Sequence, residues 1–260
     1  MHEHHIFASL PASGALAAGV ARALASHPAQ LAGAGYGPAV LGPLAQGGVH
    51  VDETIAGRAT AGLDGFFAQA GARAAAYGAR LNGPVARLVV PLLPYDLYFP
   101  ALWRHLAARR AMPDFATLEG TLAAQRRGWV ELVGELMAAL RPAETVILPA
   151  PVSVTQVLGA LVPGAGLTGP AFEPCTAALP DTALAMLQRL YRAGVTISPR
   201  QAARLAELHA RQPQPATLAA FEPLMAAALR RRFGADIERL GQMKGLRIGA
   251  GVAGLACAAE

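Results

Sequence analysis

The sequence is almost without lysine: Lys244 is the only one, and all the other basic residues are arginines. A phosphate-binding loop of the common nucleotide-binding type places a lysine against the phosphates. Because Lys244 stands close to the C-terminal end of the sequence, no earlier lysine can serve such a loop.

Cysteine is also scarce, with only Cys175 and Cys257. Their spacing matches no metal-ligand motif and forms no disulfide framework, which fits a reducing compartment. The apolar runs are short or interrupted by proline and glycine, so we predict no membrane span. The start, MHEHHIFASLP, lacks the regions of a signal peptide. We expect a cytoplasmic protein with no membrane partner.

Charged residues make up only 15% of the 260 residues, and hydrophobic residues make up 53%. This composition supports a large core and a single domain over 1–260. The net charge of +5 comes from residues spread along the chain. Its densest group, Arg230-Arg231-Arg232, falls in a periodic helix and is interpreted as a solvated helix face. We recognise no RNA- or DNA-binding module and expect no nucleic-acid partner.

Hydrophobic patterns predict four short strands separated by helices. The predicted strands lie at 5–10, around Val49 and Val51, at 85–93 and at 145–150. The predicted helices lie at 15–26, 62–81, 95–106, 115–125 and 128–140, with a loop at 31–48 and mostly helix after Pro180. The run at 85–93 is apolar almost throughout, as in a parallel sheet buried on both faces. We predict an α/β fold: a short parallel sheet flanked by helices, strand-rich over about 1–150 and helical over about 151–245.

One segment between the first strand and the first helix has the composition of an anion-binding turn. Ser13 and Gly14 could offer a hydroxyl and backbone N–H groups to an anion. Alternatively, Pro11 and Gly14 only shape a tight strand-to-helix turn, with Ser13 as the N-cap. The candidate cofactor-binding residues of this segment are Pro11, Ala12, Ser13, Gly14, Ala15 and Leu16.

Four motifs, in order, resemble the bacterial sulfotransferase-like family of the P-loop fold along most of the chain. PASGAL at 11–16 stands where the family has a loop of the type PKTGTT, and Asp52-Glu53-Thr54 stands where members carry an acidic segment resembling DEN. LLPYDLYFP at 92–100 aligns with R-x-P-x-x-R-x-x-S, and LRRRFGADIERLGQM is similar to the closing helix. The resemblance implies a three-layer P-loop-type fold and transfer of a sulfuryl group from phosphoadenosine phosphosulfate (PAPS).

The resemblance also implies which charges are missing. Sulfuryl transfer needs a cation where negative charge develops on the leaving oxygen, and the position of the family's loop lysine is Ala12. The positions that hold the nucleotide's 3'-phosphate are Leu92 and Pro100, and the loop hydroxyls are replaced by Ala15 and Leu16. We therefore expect a degenerate member that uses no cofactor and binds a small-molecule or protein ligand without catalysis.

The alternative is an active sulfotransferase that moves a sulfuryl group from PAPS to a hydroxyl or amine acceptor. The resemblance then implies Glu53 as the catalytic base; otherwise Asp52 and Glu53 cap a helix or pair with Arg58. Arginines from elsewhere, such as Arg22, Arg58 or Arg104, could replace the loop lysine if they converge on it. A nucleotide hydrolase is disfavoured, because the loop lacks both the lysine and the Ser or Thr that binds magnesium.

Two other groups have a chemical and a structural interpretation. His2, His4 and His5 could bind a transition metal, but we expect a frayed terminus with His5 at the start of the strand, and we predict no metal site. The aromatic residues Tyr95, Tyr98, Phe99 and Trp103 could line an acceptor pocket, but their helical spacing favours core packing.

Overall fold

The computed structural model describes residues 3–11, 14–42, 47–149, 151–169, 179–214 and 217–249. Within this part of the chain, six strands form one sheet whose neighbouring strands are all parallel. The strands are β1 (His4–Ala8), β2 (Ala39–Leu41), β3 (Gly48–Asp52), β4 (Val85–Leu92), β5 (Glu144–Pro149) and β6 (Leu246–Ile248). Their spatial order is β2-β3-β1-β4-β5-β6.

Helices follow most of the strands. They are α1 (Gly14–Ser26), α2 (Pro28–Gly33), α3 (Ala59–Leu63), α4 (Ala70–Gly78), α5 (Tyr95–Ala107), α6 (Phe115–Ala123), α7 (Trp129–Leu140), α8 (Val154–Leu161), α9 (Asp181–Arg192), α10 (Pro199–His209) and α11 (Pro223–Gly241).

The helices lie in two layers, one on each face of the sheet, because successive strand residues point to opposite faces. On one face, Phe7 and Val89 pack against α1 and α8. On the other, Ile6 and Leu88 pack against the thicker layer that contains α4, α5, α7 and α11. The α/β class and the three-layer arrangement predicted from the sequence are confirmed. The single-domain assignment over 1–260 stays a prediction.

The strand β1 lies between β3 and β4, with Ile6 opposite His50 in β3 and opposite Leu88 in β4. The first predicted strand and the predicted strand at 85–93 are therefore neighbours in the sheet. After β1 the chain enters α1 on one face, whereas after β4 it enters α5 on the other. The crevice between two such strand ends is where parallel α/β sheets bind ligands, and Pro11 lies at this edge.

The structure corrects the prediction of a loop at 31–48, where it has the end of α2 and the strand β2. The first helix ends at Ser26, as predicted, and a further helix, α2, begins at Pro28, because proline fits the first turn of a helix. β2 has only three residues, too few for a recognisable pattern. The equally short β6 was missed for the same reason.

The predicted helix at 62–81 is two helices, α3 and α4, separated by a left-handed turn. Gly65 has φ 80°, and Phe66 and Phe67 have φ 47° and 58°. A left-handed conformation costs a non-glycine residue about 1–2 kcal/mol. Both phenylalanine side chains are fully buried, and Arg127 donates hydrogen bonds to both of their carbonyl oxygens. Burial and these hydrogen bonds together offset the backbone strain.

A buried polar cluster joins α11 to α5 and α7. The Tyr95 hydroxyl donates to the Asp236 carboxylate and accepts from the Trp129 N–H at 2.7 Å. The guanidinium of Arg232 lies 4.6 Å from the centre of the Tyr95 ring and donates to the carbonyls of residues 125–127.

The expected solvated face at Arg230-Arg231-Arg232 is therefore wrong for Arg232, whose guanidinium stacks on a buried ring. Arg230 is exposed but pairs with the buried carboxylate of Asp96. Of these three arginines, only Arg231 is exposed with no side-chain hydrogen bond or ion pair among the described residues. Helical spacing alone did not show which arginine faces the core.

The four aromatic residues of α5 are buried, as the core interpretation predicted. Tyr95, Tyr98 and Phe99 are fully buried, and Trp103 is 2% exposed. Tyr95 stacks on Trp129 with ring centres 5.5 Å apart. These rings therefore belong to the core and do not line an acceptor pocket.

We expect Tyr95→Phe to lower the free energy of unfolding by about 1–3 kcal/mol, because it leaves the Asp236 carboxylate and the Trp129 N–H without their buried partner. Urea unfolding at pH 7 measures the loss. Tyr191→Phe is the matched control, since its half-buried hydroxyl donates only to the Ala108 carbonyl, and its loss should be smaller. Equal losses in the two variants would contradict a special role for the Tyr95 cluster.

A buried histidine pair links β1 to β3. The His4 Nδ1 lies 2.8 Å from the His50 Nε2, and the His50 Nδ1 lies 3.0 Å from the Gly42 carbonyl oxygen. Since a carbonyl only accepts, the His50 Nδ1 carries the hydrogen and its Nε2 accepts one from His4. The expected frayed terminus is therefore wrong for His4, which is fully buried in β1. His2 lies outside the described residues.

Stability should fall as the pH is lowered below about 6.5, the ordinary histidine pKa. Burial lowers the pKa of His5, His50 and His105 in the folded protein. The unfolded chain then binds more protons, so the stability is complete above pH 6.5 and is lost as the pH falls toward the lowered pKa values. Urea unfolding between pH 7.5 and 5 measures the slope.

His105→Asn should remove only part of this slope, because the β1–β3 pair remains. A stability that is independent of pH over this interval would contradict the interpretation.

Candidate functional site

The segment 11–16 follows β1 as predicted, but its described side chains are apolar. Pro11 is buried, and α1 begins at Gly14 with no acidic residue in its first turn. Leu16 is 8% exposed and packs in the core with α1. Ala12 and Ser13 lie outside the described residues, so the N-cap role of Ser13 stays a prediction.

The two positions that the resemblance assigns to the 3'-phosphate lie in the interior of the protein. Leu92 ends β4 and is fully buried. Pro100 lies inside α5 and is buried as well. Neither position offers a polar group or access to solvent.

The three arginines considered as replacements for the loop lysine lie elsewhere. Arg104 forms an ion pair with Asp181 and donates to the Leu179 carbonyl at 2.7 Å. Arg22 lies eight residues along α1 from Gly14, about 12 Å at the helical rise. Arg58 lines a cavity beside α3. No hydrogen bond or ion pair between described residues joins any of them to the loop.

Glu53 directly follows β3 and is half-buried. Burial and the neighbouring charge of Asp52 raise the pKa of its carboxyl, and the positive charge of Arg109 opposes that rise. Asp52 itself accepts hydrogen bonds at its Oδ1 from the backbone N–H of Thr54 at 2.6 Å and from the Thr54 hydroxyl at 2.9 Å. Asp52 thus stabilises the turn after β3. Neither carboxylate forms an ion pair with Arg58 among the described residues.

A large cavity lies between the end of α5 and the helices α9 and α10. Its volume is about 820 Å³, within the range of small-molecule pockets. Most of its lining is apolar, and its charged residues are Arg109 and Glu207. Arg109 is also the residue whose positive charge opposes the rise in the pKa of Glu53. Sequence analysis missed this cavity, since the packing of α10 on α9 leaves no sequence signal.

Two smaller cavities, of about 370 and 260 Å³, lie on either side of Arg73. The smaller one brings Asp52 together with Arg73, Tyr77 and Arg80. The last three residues are four and three positions apart, so they share one face of α4 and the turn that follows it. That spacing was the only signal in the sequence, and it was not recognised.

The described residues contain no group of three or more histidine, cysteine or acidic side chains that could hold a metal ion. Among the same residues, no helix is long and apolar enough to cross a membrane. Cys175 and Cys257 lie outside the part of the chain that the structure describes.

Comparisons of the chain with protein-family models, curated proteins and solved structures find no match. The case for a function therefore rests on the side chains themselves, because one fold hosts many activities.

We expect Glu53→Gln to raise the free energy of unfolding at pH 7. A carboxyl whose folded pKa is raised destabilises the folded state once it ionises, and the neutral amide removes that cost. The gain should shrink as the pH falls toward about 4.3, the ordinary glutamate pKa. Urea unfolding at pH 7 and pH 4.5 measures both values.

Glu207→Gln, at the exposed rim of the cavity between α5, α9 and α10, is the control and should stay within about 0.5 kcal/mol of the unmodified protein. A loss of stability at pH 7 in Glu53→Gln would contradict the raised pKa.

Proposed function

We propose that the chain is a sulfotransferase-like protein with a degenerate nucleotide-binding loop, and that it binds a small molecule without catalysis. The observation that carries this proposal is the burial of Leu92 and Pro100. A position that binds a phosphate needs a hydrogen-bond donor that the ligand can reach. A buried apolar side chain offers no such donor, and burying the charged phosphate beside it would be costly. Leu16, which is buried in the core on the α1 face of the sheet, supports the same conclusion.

The cavities favour a small molecule over a protein as the ligand. The cavity between α5, α9 and α10 has the volume and the apolar lining of a small-molecule pocket. Its charged residues, Arg109 and Glu207, supply the few polar groups that orient such a ligand. No cofactor is needed for binding of this kind.

An active sulfotransferase is the second candidate, and Glu53 is the observation that favours it. A base is most effective when its pKa lies near the working pH, and burial raises the pKa of Glu53 in that direction. In this reaction the acceptor oxygen or nitrogen forms a bond to the sulfur of PAPS while Glu53 takes the acceptor's proton. The bond to the phosphate oxygen breaks, and adenosine bisphosphate leaves. The family's loop lysine, which would stabilise the departing charge, is absent at Ala12.

We expect adenosine 3',5'-bisphosphate to bind very weakly. A ligand stabilises a protein by RT ln(1 + [L]/Kd), which is only about 0.4 kcal/mol when its concentration equals Kd. Millimolar nucleotide should therefore leave the thermal unfolding temperature almost unchanged, and calorimetric titration should show no saturation. Tight binding by the unmodified protein would overturn the degenerate assignment.

Ala12→Lys is the variant that tests whether the backbone of the loop can still hold a phosphate. It restores the cation that the resemblance places in the loop, whereas Leu92→Arg would bury an unpaired charge. Ala18→Lys, at an exposed position of α1, is the matched control. Stronger nucleotide binding in Ala12→Lys alone supports the resemblance. Transfer of labelled sulfate from PAPS to a phenol or amine, lost in Glu53→Gln, would establish the active alternative.

A further inference from the structure

The smallest of the three cavities, of about 260 Å³, has the largest share of polar residues in its lining. We name it the β3 cavity, because it lies beyond the carboxyl end of β3 and beneath α4. Its principal lining residues are Asp52, Thr54, Ile55, Arg73, Tyr77 and Arg80. The volume lies below the usual range for drug-sized ligands, so the β3 cavity suits a molecule much smaller than a nucleotide.

The Tyr77 hydroxyl is buried and has no hydrogen-bond partner among the described residues, and the whole residue is only 7% exposed. Burial and the charge of Asp52 raise the pKa of this hydroxyl, and Arg80 opposes the rise. The hydroxyl therefore stays protonated and can donate a hydrogen bond. The two charged residues that act on it, Asp52 and Arg80, also line the cavity. An unpaired buried hydroxyl is costly, and a ligand oxygen in the cavity would satisfy it.

Two arginines add positive charge to the same cavity. The Arg73 guanidinium is held by its own hydrogen bonds, with Nε and Nη2 lying 3.4 and 3.0 Å from the Thr54 carbonyl oxygen. Its Nη1 has no partner among the described residues, and the Arg80 side chain has no hydrogen bond or ion pair there. A carboxylate accepts parallel hydrogen bonds from such guanidinium groups.

One acceptor stands beside these donors. The Asp52 Oδ1 accepts both hydrogen bonds from Thr54, whereas its Oδ2 has no hydrogen-bond partner among the described residues. Its carboxylate forms no ion pair with Arg73 or Arg80 in that part of the chain. A ligand that carried only negative charge would be repelled by Asp52. A ligand with a donor next to its acidic group would satisfy both sides.

We propose that the β3 cavity binds a small organic carboxylate that carries a hydroxyl or ammonium group on the neighbouring carbon. The carboxylate lies against Arg73, Arg80 and the Tyr77 hydroxyl, and the hydroxyl or ammonium group donates to the Asp52 Oδ2. Two arginines and one aspartate give the lining a net positive charge, which is complementary to the negative charge of a hydroxy acid. An amino acid also fits, because its carboxylate would face the arginines and its ammonium group would face Asp52. This site stands independently of the sulfotransferase resemblance.

Calorimetric titration of the unmodified protein with four probes tests this site. Lactate and alanine carry the carboxylate with a hydroxyl or an ammonium group, propionate has the same three-carbon chain without a donor, and inorganic phosphate is an anion alone. We expect lactate or alanine to bind roughly tenfold or more tightly than propionate, the effect of one charge-assisted hydrogen bond. Which of the two binds identifies the donor.

If propionate binds as tightly as lactate and alanine, the proposed role of Asp52 is wrong. If phosphate binds most tightly, the cavity is a general anion site and the proposed ligand class is wrong. No binding by any probe shows a cavity filled by water alone and also overturns the proposal. Each of these outcomes leaves the nucleotide titration unaffected, so the two proposals fail separately.

Variants locate the binding. Arg80→Gln and Tyr77→Phe should each weaken the better probe roughly tenfold, while Arg231→Gln on the exposed face of α11 should not. Without ligand, Tyr77→Phe should keep or raise the unfolding temperature, because it removes an unsatisfied hydroxyl. Loss of stability in the empty variant would show that the hydroxyl is already paired, and it would overturn the site.

Discussion

The rest of the structure depends on the parallel pairing of β1 with β3 on one side and β4 on the other. A central strand buried on both faces needs a layer of helices on each, and Ile6 and Phe7 anchor these two layers. The same pairing brings the ends of three strands to one edge of the sheet. Pro11, Glu53 and the start of α5 meet at this edge although they are far apart in sequence.

A chain of polar contacts sets the position of α4, the helix that lines the β3 cavity. Arg127 holds the Glu135 carboxylate through hydrogen bonds of 2.6 and 2.7 Å, and Glu135 accepts the Gly71 N–H at 2.9 Å in the first turn of α4. Arg127 also holds the left-handed turn at Phe66 and Phe67. Arg127 therefore helps to place α4, with Tyr77, over the edge of the sheet. The hydrogen bonds from Arg127 and from the Gly71 N–H lower the pKa of Glu135.

Two parts of the carboxyl-end edge of the sheet differ in the polarity of their side chains. Beyond β1 and β4, the positions that the sulfotransferase resemblance assigns to a nucleotide are occupied by buried apolar side chains such as Leu16 and Leu92. Beyond β3, by contrast, Asp52, Arg73 and Arg80 keep polar groups directed at a cavity. Both ligand sites that we propose, the β3 cavity and the cavity lined by Arg109, therefore lie away from the lysine-free loop.

The α/β class could be predicted from the sequence, because the apolar run at 85–93 and the helical spacing of Tyr95 and Phe99 are local patterns. The sequence could not show β2 or β6, which are too short for periodicity, or the left-handed turn at Phe66, which strains its own backbone and is held by distant Arg127. The contact of His4 with His50 and the position of Tyr77 beside Asp52 likewise depend on which elements pack together. The lining of the β3 cavity could not be predicted from the sequence. Asp52 and Arg73 come together there only when β3 and α4 pack in the folded protein, and local propensities do not indicate such packing.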